Sequence, residues 1–145
     1  MDFAFILTIV VIGIVILINV LIYGSKLRAE SVLKQLTLEL EKTGEKIILK
    51  DSWANFFGLK SLGRGQIRGN GILALTDKRV YFVRYFPKKE ISIPLGTIKN
   101  VETVKSYLGK NIFAPILKLN FDNEEVAFYV RDVEEWISEV NKARH

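Results

Sequence analysis

From Phe3 to Tyr23 the chain runs for twenty-one residues without a charge, and only Thr8, Gly13 and Asn19 interrupt an otherwise apolar run. At 1.5 Å per residue a helix of this length reaches roughly 31 Å, which matches a hydrocarbon core of about 30 Å. A helix apolar on every side needs an apolar environment all round, and a chain of 145 residues has too few other elements to enclose one. The stretch therefore predicts one transmembrane helix. A cleaved leader would require a basic start, a shorter apolar core and a small-x-small site. Here the chain starts Met1-Asp2 and the run ends Leu21-Ile22-Tyr23-Gly24, so a retained anchor is expected. Lys26 and Arg28 follow the run and no basic residue precedes it, which by the positive-inside tendency places the remainder in the cytoplasm.

The roughly 120 residues beyond the anchor suit a single domain with its own core. There is no Cys and the one His is His145, the last residue, so thiol chemistry, histidine acid-base catalysis and multi-His metal sites have no residues to work with. No cofactor or enzyme activity is expected. Charge is unevenly spread: residues 43–118 carry fourteen Lys/Arg against five Asp/Glu, whereas 119–145 carry three against seven. Such polarity suits an anionic surface on one side, a membrane above all, or an acidic protein partner. The excess is modest and the aromatic residues Trp53, Phe56 and Phe57 read as core, so nucleic acid is not an expected partner.

Gly24-Ser25 reads as a flexible joint, and Lys26 to Thr43 as an amphipathic linker helix stopped by Gly44. Ala29, Val32, Leu33, Leu36 and Leu40 fall on one face at 100° per residue. That stripe has three possible fates: packing on the domain, pairing with a second copy, or lying in the membrane interface. From Glu45 the pattern changes to short alternating runs. Strands are predicted at 46–50, 53–59, 72–76, 79–85, 90–93, 98–106, 116–121 and 125–130. Asn70-Gly71, Asp77-Lys78, Phe86-Pro87-Lys88-Lys89 and Asp122-Asn123 are short connections, which favour antiparallel hairpins. Asp132 with Glu135 three residues on opens a C-terminal helix carrying Trp136, Ile137 and Val140 at helical spacing. The whole is an α+β chain: membrane helix 3–23, linker helix 26–43, and a domain from 45 to 143 in which about seven antiparallel strands form two sheets or a barrel, with Trp136 plugging an open end.

Gly71-Ile-Leu-Ala-Leu-Thr-Asp-Lys-Arg-Val-Tyr-Phe-Val83, then Ile91-Ser-Ile-Pro-Leu95 and Ile98-Lys-Asn-Val101, resembles the GRAM and bacterial PH-like domains, as does the ending Asp132-Val-Glu-Glu-Trp136. The resemblance implies the PH superfold, two nearly orthogonal antiparallel sheets capped by the last helix, and binding of membrane lipids or proteins without catalysis. The basic residues of its first loop, Lys60, Arg64 and Arg68, are spaced by four here, unlike the tighter cluster of phosphoinositide-gripping relatives.

Between Gly58 and Gly71 lie five glycines counted with both ends, three basic residues and no acid. Glycines let backbone N–H groups approach an anion and Arg can grip phosphate with two bonds, though turn-forming glycines in a plain connection have the same composition. The order matches neither a Walker loop nor a dinucleotide loop, and Ser31-x-x-Lys34 stands alone with no second catalytic motif. Lys60, Arg64, Arg68, Lys88 and Lys89 are thus the candidate lipid-facing residues, on two loops that PH-like folds place at the open end. If Ser25 to Thr43 continues straight from the anchor, it is expected to hold the domain roughly 27 Å off the bilayer, several Debye lengths away. Lipid contact is then expected to require a bend at Gly24-Ser25 or a helix folded back along the domain. Assembly into a membrane complex through the linker helix and domain, or as a homodimer, is the alternative reading.

Overall fold

The computed structural model describes all residues 1–145. Helix α1 runs without interruption from Phe3 to Thr43, 41 residues, so the joint expected at Gly24-Ser25 is absent. Ser25 stays within the helix by returning its hydroxyl to the Ile22 carbonyl at 2.7 Å, and no atom crowds Gly24. The helix stops at Gly44, which adopts the left-handed region (φ 65°) and lets Glu45 N–H close on Leu40 O at 3.0 Å.

Seven strands follow: β1 (Ile47–Leu59), β2 (Gly69–Thr76), β3 (Arg79–Arg84), β4 (Lys89–Pro94), β5 (Ile98–Tyr107), β6 (Lys110–Phe121) and β7 (Glu124–Tyr129). Helix α2 (Val133–Ala143) ends the fold. All strand pairs are antiparallel in one curled sheet of order β4-β3-β2-β1-β7-β6-β5. The two strands expected at 46–50 and 53–59 are the two halves of β1. β2 pairs with Ile47 to Phe56 and β7 with Asn55 to Leu59, and a register shift between Asp51 and Ala54 within the β1–β2 pairing falls where the two expected strands meet. Asp51 holds this corner: its carboxylate is buried and accepts from Trp53 N–H and Arg131 N–H, both at 2.8 Å. A second shift at Gly58 (φ 139°) lets β1 bend again, where a Cβ would stand 2.6 Å from the Gln66 amide.

Curling encloses a core in which Phe56, Phe82 and Phe128 meet with ring centroids 5.0 to 6.0 Å apart. Trp136 and Val140 of α2 close this core at one end, as expected, with Asp132 capping the helix through Glu135 N–H at 3.0 Å. A second core lies on the outside of the sheet. Val32, Leu36 and Leu40 of α1 pack on Ile72, Ala74, Tyr81 and Val83, so β2 and β3 are buried on both faces. The linker stripe is thus spent within the chain, and the linker part of α1 lies along the domain. Arg79 ties it down, donating to Glu45 at 3.1 Å and Glu39 at 3.3 Å while lying over the Tyr81 ring.

Candidate functional site

Four contacts fix how the domain sits on α1. Arg28 stacks 5.2 Å from the Phe86 ring, Gln35 accepts from Lys88 at 3.2 Å, Glu39 accepts from Tyr81 Oη at 3.3 Å, and the Thr43 carbonyl accepts from Lys78 at 3.0 Å. β3 therefore runs antiparallel to α1, bringing the β3–β4 turn toward the apolar run and the β2–β3 turn away from it. Arg28 lies five residues past Tyr23, roughly 7.5 Å along the axis.

The β3–β4 turn is one part of a larger loop end. Arg84, buried, donates to the carbonyls of Ile67 and Pro87, joining this turn to the β1–β2 loop. Arg68 donates to the carbonyls of Phe57 at 2.7 Å and Leu108 at 3.2 Å, joining the same loop to the β5–β6 turn. At the opposite end Arg144, which caps α2 at its C-terminus, donates to the Ile98 and Lys99 carbonyls, and Leu95 N–H reaches the Lys78 carbonyl. The capping helix is thus remote from the apolar run, and the loops are next to it.

The five basic residues expected here all lie on the loop end but do different things. Lys60 is exposed and pairs with Glu125 at 2.7 Å, which raises its pKa; Lys88 pairs with Glu90 at 2.9 Å. Arg64 is exposed with no carboxylate partner, its guanidinium resting near Gly109. Arg68 is occupied by the two carbonyls. Lys89 stands over the buried Phe56 ring at 5.2 Å, and burial together with the neighbouring Arg84 lowers its pKa. Arg84 itself has only carbonyl acceptors, and burial lowers its pKa as well. Apolar side chains share this end: Leu62, Ile67 and Phe86 are each more than half exposed, as is Phe113 on the β5–β6 hairpin.

Beside the loop end, on the outer face of β1, two cavities adjoin at Trp53 and Asn70. The first, about 250 Å³, is walled by Ser25, Lys26 and Ala29 of α1 with Tyr85 facing them. The second, about 480 Å³, extends over Asn55 and Tyr129 to Lys110 and Ile112 of the β5–β6 hairpin. No acidic side chain lines either one. Trp53, expected in the core, is 67% exposed. Alternation carries the signal: Ala54 and Phe56 point into the barrel, which turns Trp53, Asn55 and Phe57 outward, and only Phe57 is covered there by the β5–β6 hairpin.

No protein-family model matches the chain, and no curated protein matches it in sequence. Among solved structures, the C-terminal domain of an unknown protein from Leishmania infantum aligns with a TM-score of 0.58 at 16% identity, covering 79% of this chain and 96% of that one. The Vps36 N-terminal PH domain aligns with a TM-score of 0.51 at 18% identity, covering 70% and 80%. With its curled seven-stranded sheet, capping helix and loop end, the domain after α1 has a PH-like fold.

Proposed function

We propose that this chain is a membrane-anchored, non-catalytic binding module of the GRAM type, cytoplasmic beyond its N-terminal helix, whose loop end recognises the anionic headgroups of the leaflet from which α1 emerges. One observation carries the reading: α1 is continuous and lies along β2 and β3, so the loops and not α2 stand beside the apolar run. On this reading Phe86, beside Arg28, lies roughly 7.5 Å along the axis from the apolar run, within a Debye length, and the separation of roughly 27 Å expected for a straight helix does not apply.

Arg28 and Arg64 supply positive charge without carboxylate partners, and Lys60 and Lys88 add charge that Glu125 and Glu90 partly offset. A basic side chain near an anionic surface contributes about 1 kcal/mol. The exposed Leu62, Ile67 and Phe86 suit the interface between headgroups and acyl chains. A protein partner remains the second reading, while assembly through the linker stripe loses its surface because that stripe is covered by the sheet.

Every buried residue lies at position 32 or beyond, so a fragment of residues 26–145 keeps the entire core. It is expected to co-sediment with anionic vesicles at low salt and to release them at high salt. The exposed-charge variant Lys60→Ala/Arg64→Ala/Lys88→Ala should weaken binding by up to about two decades. Absence of low-salt binding by a folded fragment would move the reading to a protein partner.

A further inference from the structure

We infer that the groove between α1 and the β5–β6 hairpin holds a single anionic phospholipid drawn laterally from the leaflet, a site separate from the loop end. The inference rests on the membrane anchoring proposed above. Ser25 and Ala29, which wall the groove, lie two and six residues past Tyr23, so its mouth is about 3 to 9 Å along the axis from the apolar run. This is the depth of headgroups and glycerol, where Trp and Tyr are favoured. The groove offers Trp53 with Tyr85 on one side and Tyr129 on the other, surfaces suited to the upper acyl chain and glycerol.

Its polar groups are arranged for an anion. Lys26 stands at the α1 wall and Lys110 at the hairpin wall, and neither has a carboxylate partner; Lys110 is held 4.7 Å over the Phe57 ring. Between them Asn55 Nδ2 donates to Asn70 Oδ1 at 2.6 Å, which leaves the Asn70 amide hydrogens free to donate. The buried Asn55 Oδ1 has no donor and would take one from a glycerol or headgroup hydroxyl. A protein segment is a poorer occupant, because the groove opens at the membrane exit of α1 and carries positive charge at both ends with no acid between.

The two tryptophans make the test direct. Trp136 is 2% exposed and silent to quenchers, whereas Trp53 lines the groove. The full-length chain would be placed in phosphatidylcholine nanodiscs containing a small, equal fraction of either phosphatidylglycerol or phosphatidylcholine brominated on the acyl chains. Trp53→Phe protein supplies the Trp136 background. Quenching by the brominated anionic lipid is expected to correspond to about fivefold enrichment over the zwitterionic one, the preference one basic side chain supplies near an anionic surface. Lys110→Gln should abolish most of that preference, because it removes the charge held on the hairpin wall of the groove over the Phe57 ring. Lys34→Gln removes the same charge from another face of α1 and should leave it.

Equal quenching by the two lipids, no quenching by either, or a preference indifferent to Lys110→Gln would overturn the inference. Salt-sensitive vesicle binding by the 26–145 fragment alongside any of these would sink the groove alone and leave the membrane-recognition reading standing. Loss of both would sink both.

Discussion

Trp136 and Glu45 show how single side chains hold the two layers of this domain. Trp136 fills the end of the barrel with almost no exposure, so Trp136→Ala is expected to cost about 3 to 5 kcal/mol in denaturant unfolding of the 26–145 fragment. Glu45 is different, because its contribution depends on charge. Burial raises its pKa, but hydrogen bonds from Thr76, Thr43 and Arg79 and the Arg79 charge outweigh that, and the net shift is downward. A carboxylate whose pKa is lowered on folding stabilises the native state above its unfolded pKa and loses this as pH falls through the folded value. Glu45→Gln should therefore cost about 1 to 3 kcal/mol near neutral pH, and the gap in urea midpoint between it and the parent should close below about pH 4. A constant gap across that range would mean that packing and not charge is what Glu45 contributes.

At the level of elements, regular patterns were readable and irregular ones were not. The β2–β3 hairpin is plain in the sequence because Asp77-Lys78 separates two β-rich runs. Those runs do not alternate, and the structure explains why: one set of residues faces the barrel and the other faces α1. β1 was harder. Asp51-Ser52 falls in the gap between the strands expected at 46–50 and 53–59, but Asp51 is a buried acceptor that stabilises a corner within one strand, which needs the long-range partner Arg131 to be recognised. The start of β6 at Lys110 was less visible, since Gly109 is the one usual turn residue there and Leu108, at φ 47°, takes the other left-handed position of the tight turn. Lys60, Arg64 and Arg68 lie on the β1–β2 loop, and Lys88 and Lys89 at the β3–β4 turn and the start of β4. Lys88 pairs with the nearby Glu90, but the Glu125 partner of Lys60 and the carbonyl partners of Arg68 come from residues more distant in the chain and were invisible. The packing of α1 on the sheet makes its own prediction: a fragment beginning at Gly44 would expose Ile72, Tyr81 and Val83. It should bind a hydrophobic dye and self-associate, whereas the 26–145 fragment should sediment as a monomer.

For the molecule as a whole, the proposed topology is checked by adding protease to intact cells, which should spare a C-terminal tag; its digestion would reverse the orientation. A continuous α1 also turns two distances into one coordinate. In a helix without a joint, every residue has a fixed azimuth as well as a fixed height, so the apolar run and the domain share a rotational phase. Asn19, whose amide donates to the Val15 carbonyl at 2.8 Å, precedes Lys26 by seven residues, about 20° short of two full turns and about 10 Å along the axis. The one amide in the apolar run thus lies beneath the groove. Phase and depth can be separated by insertion between Gly24 and Ser25. One alanine would swing the domain by about 100° while lifting it only about 1.5 Å, and seven helix-forming residues would restore the azimuth while lifting it about 10 Å. If height governs access to the leaflet, Trp53 quenching by brominated lipid should survive the first insertion and fall with the second; if azimuth governs it, the order reverses.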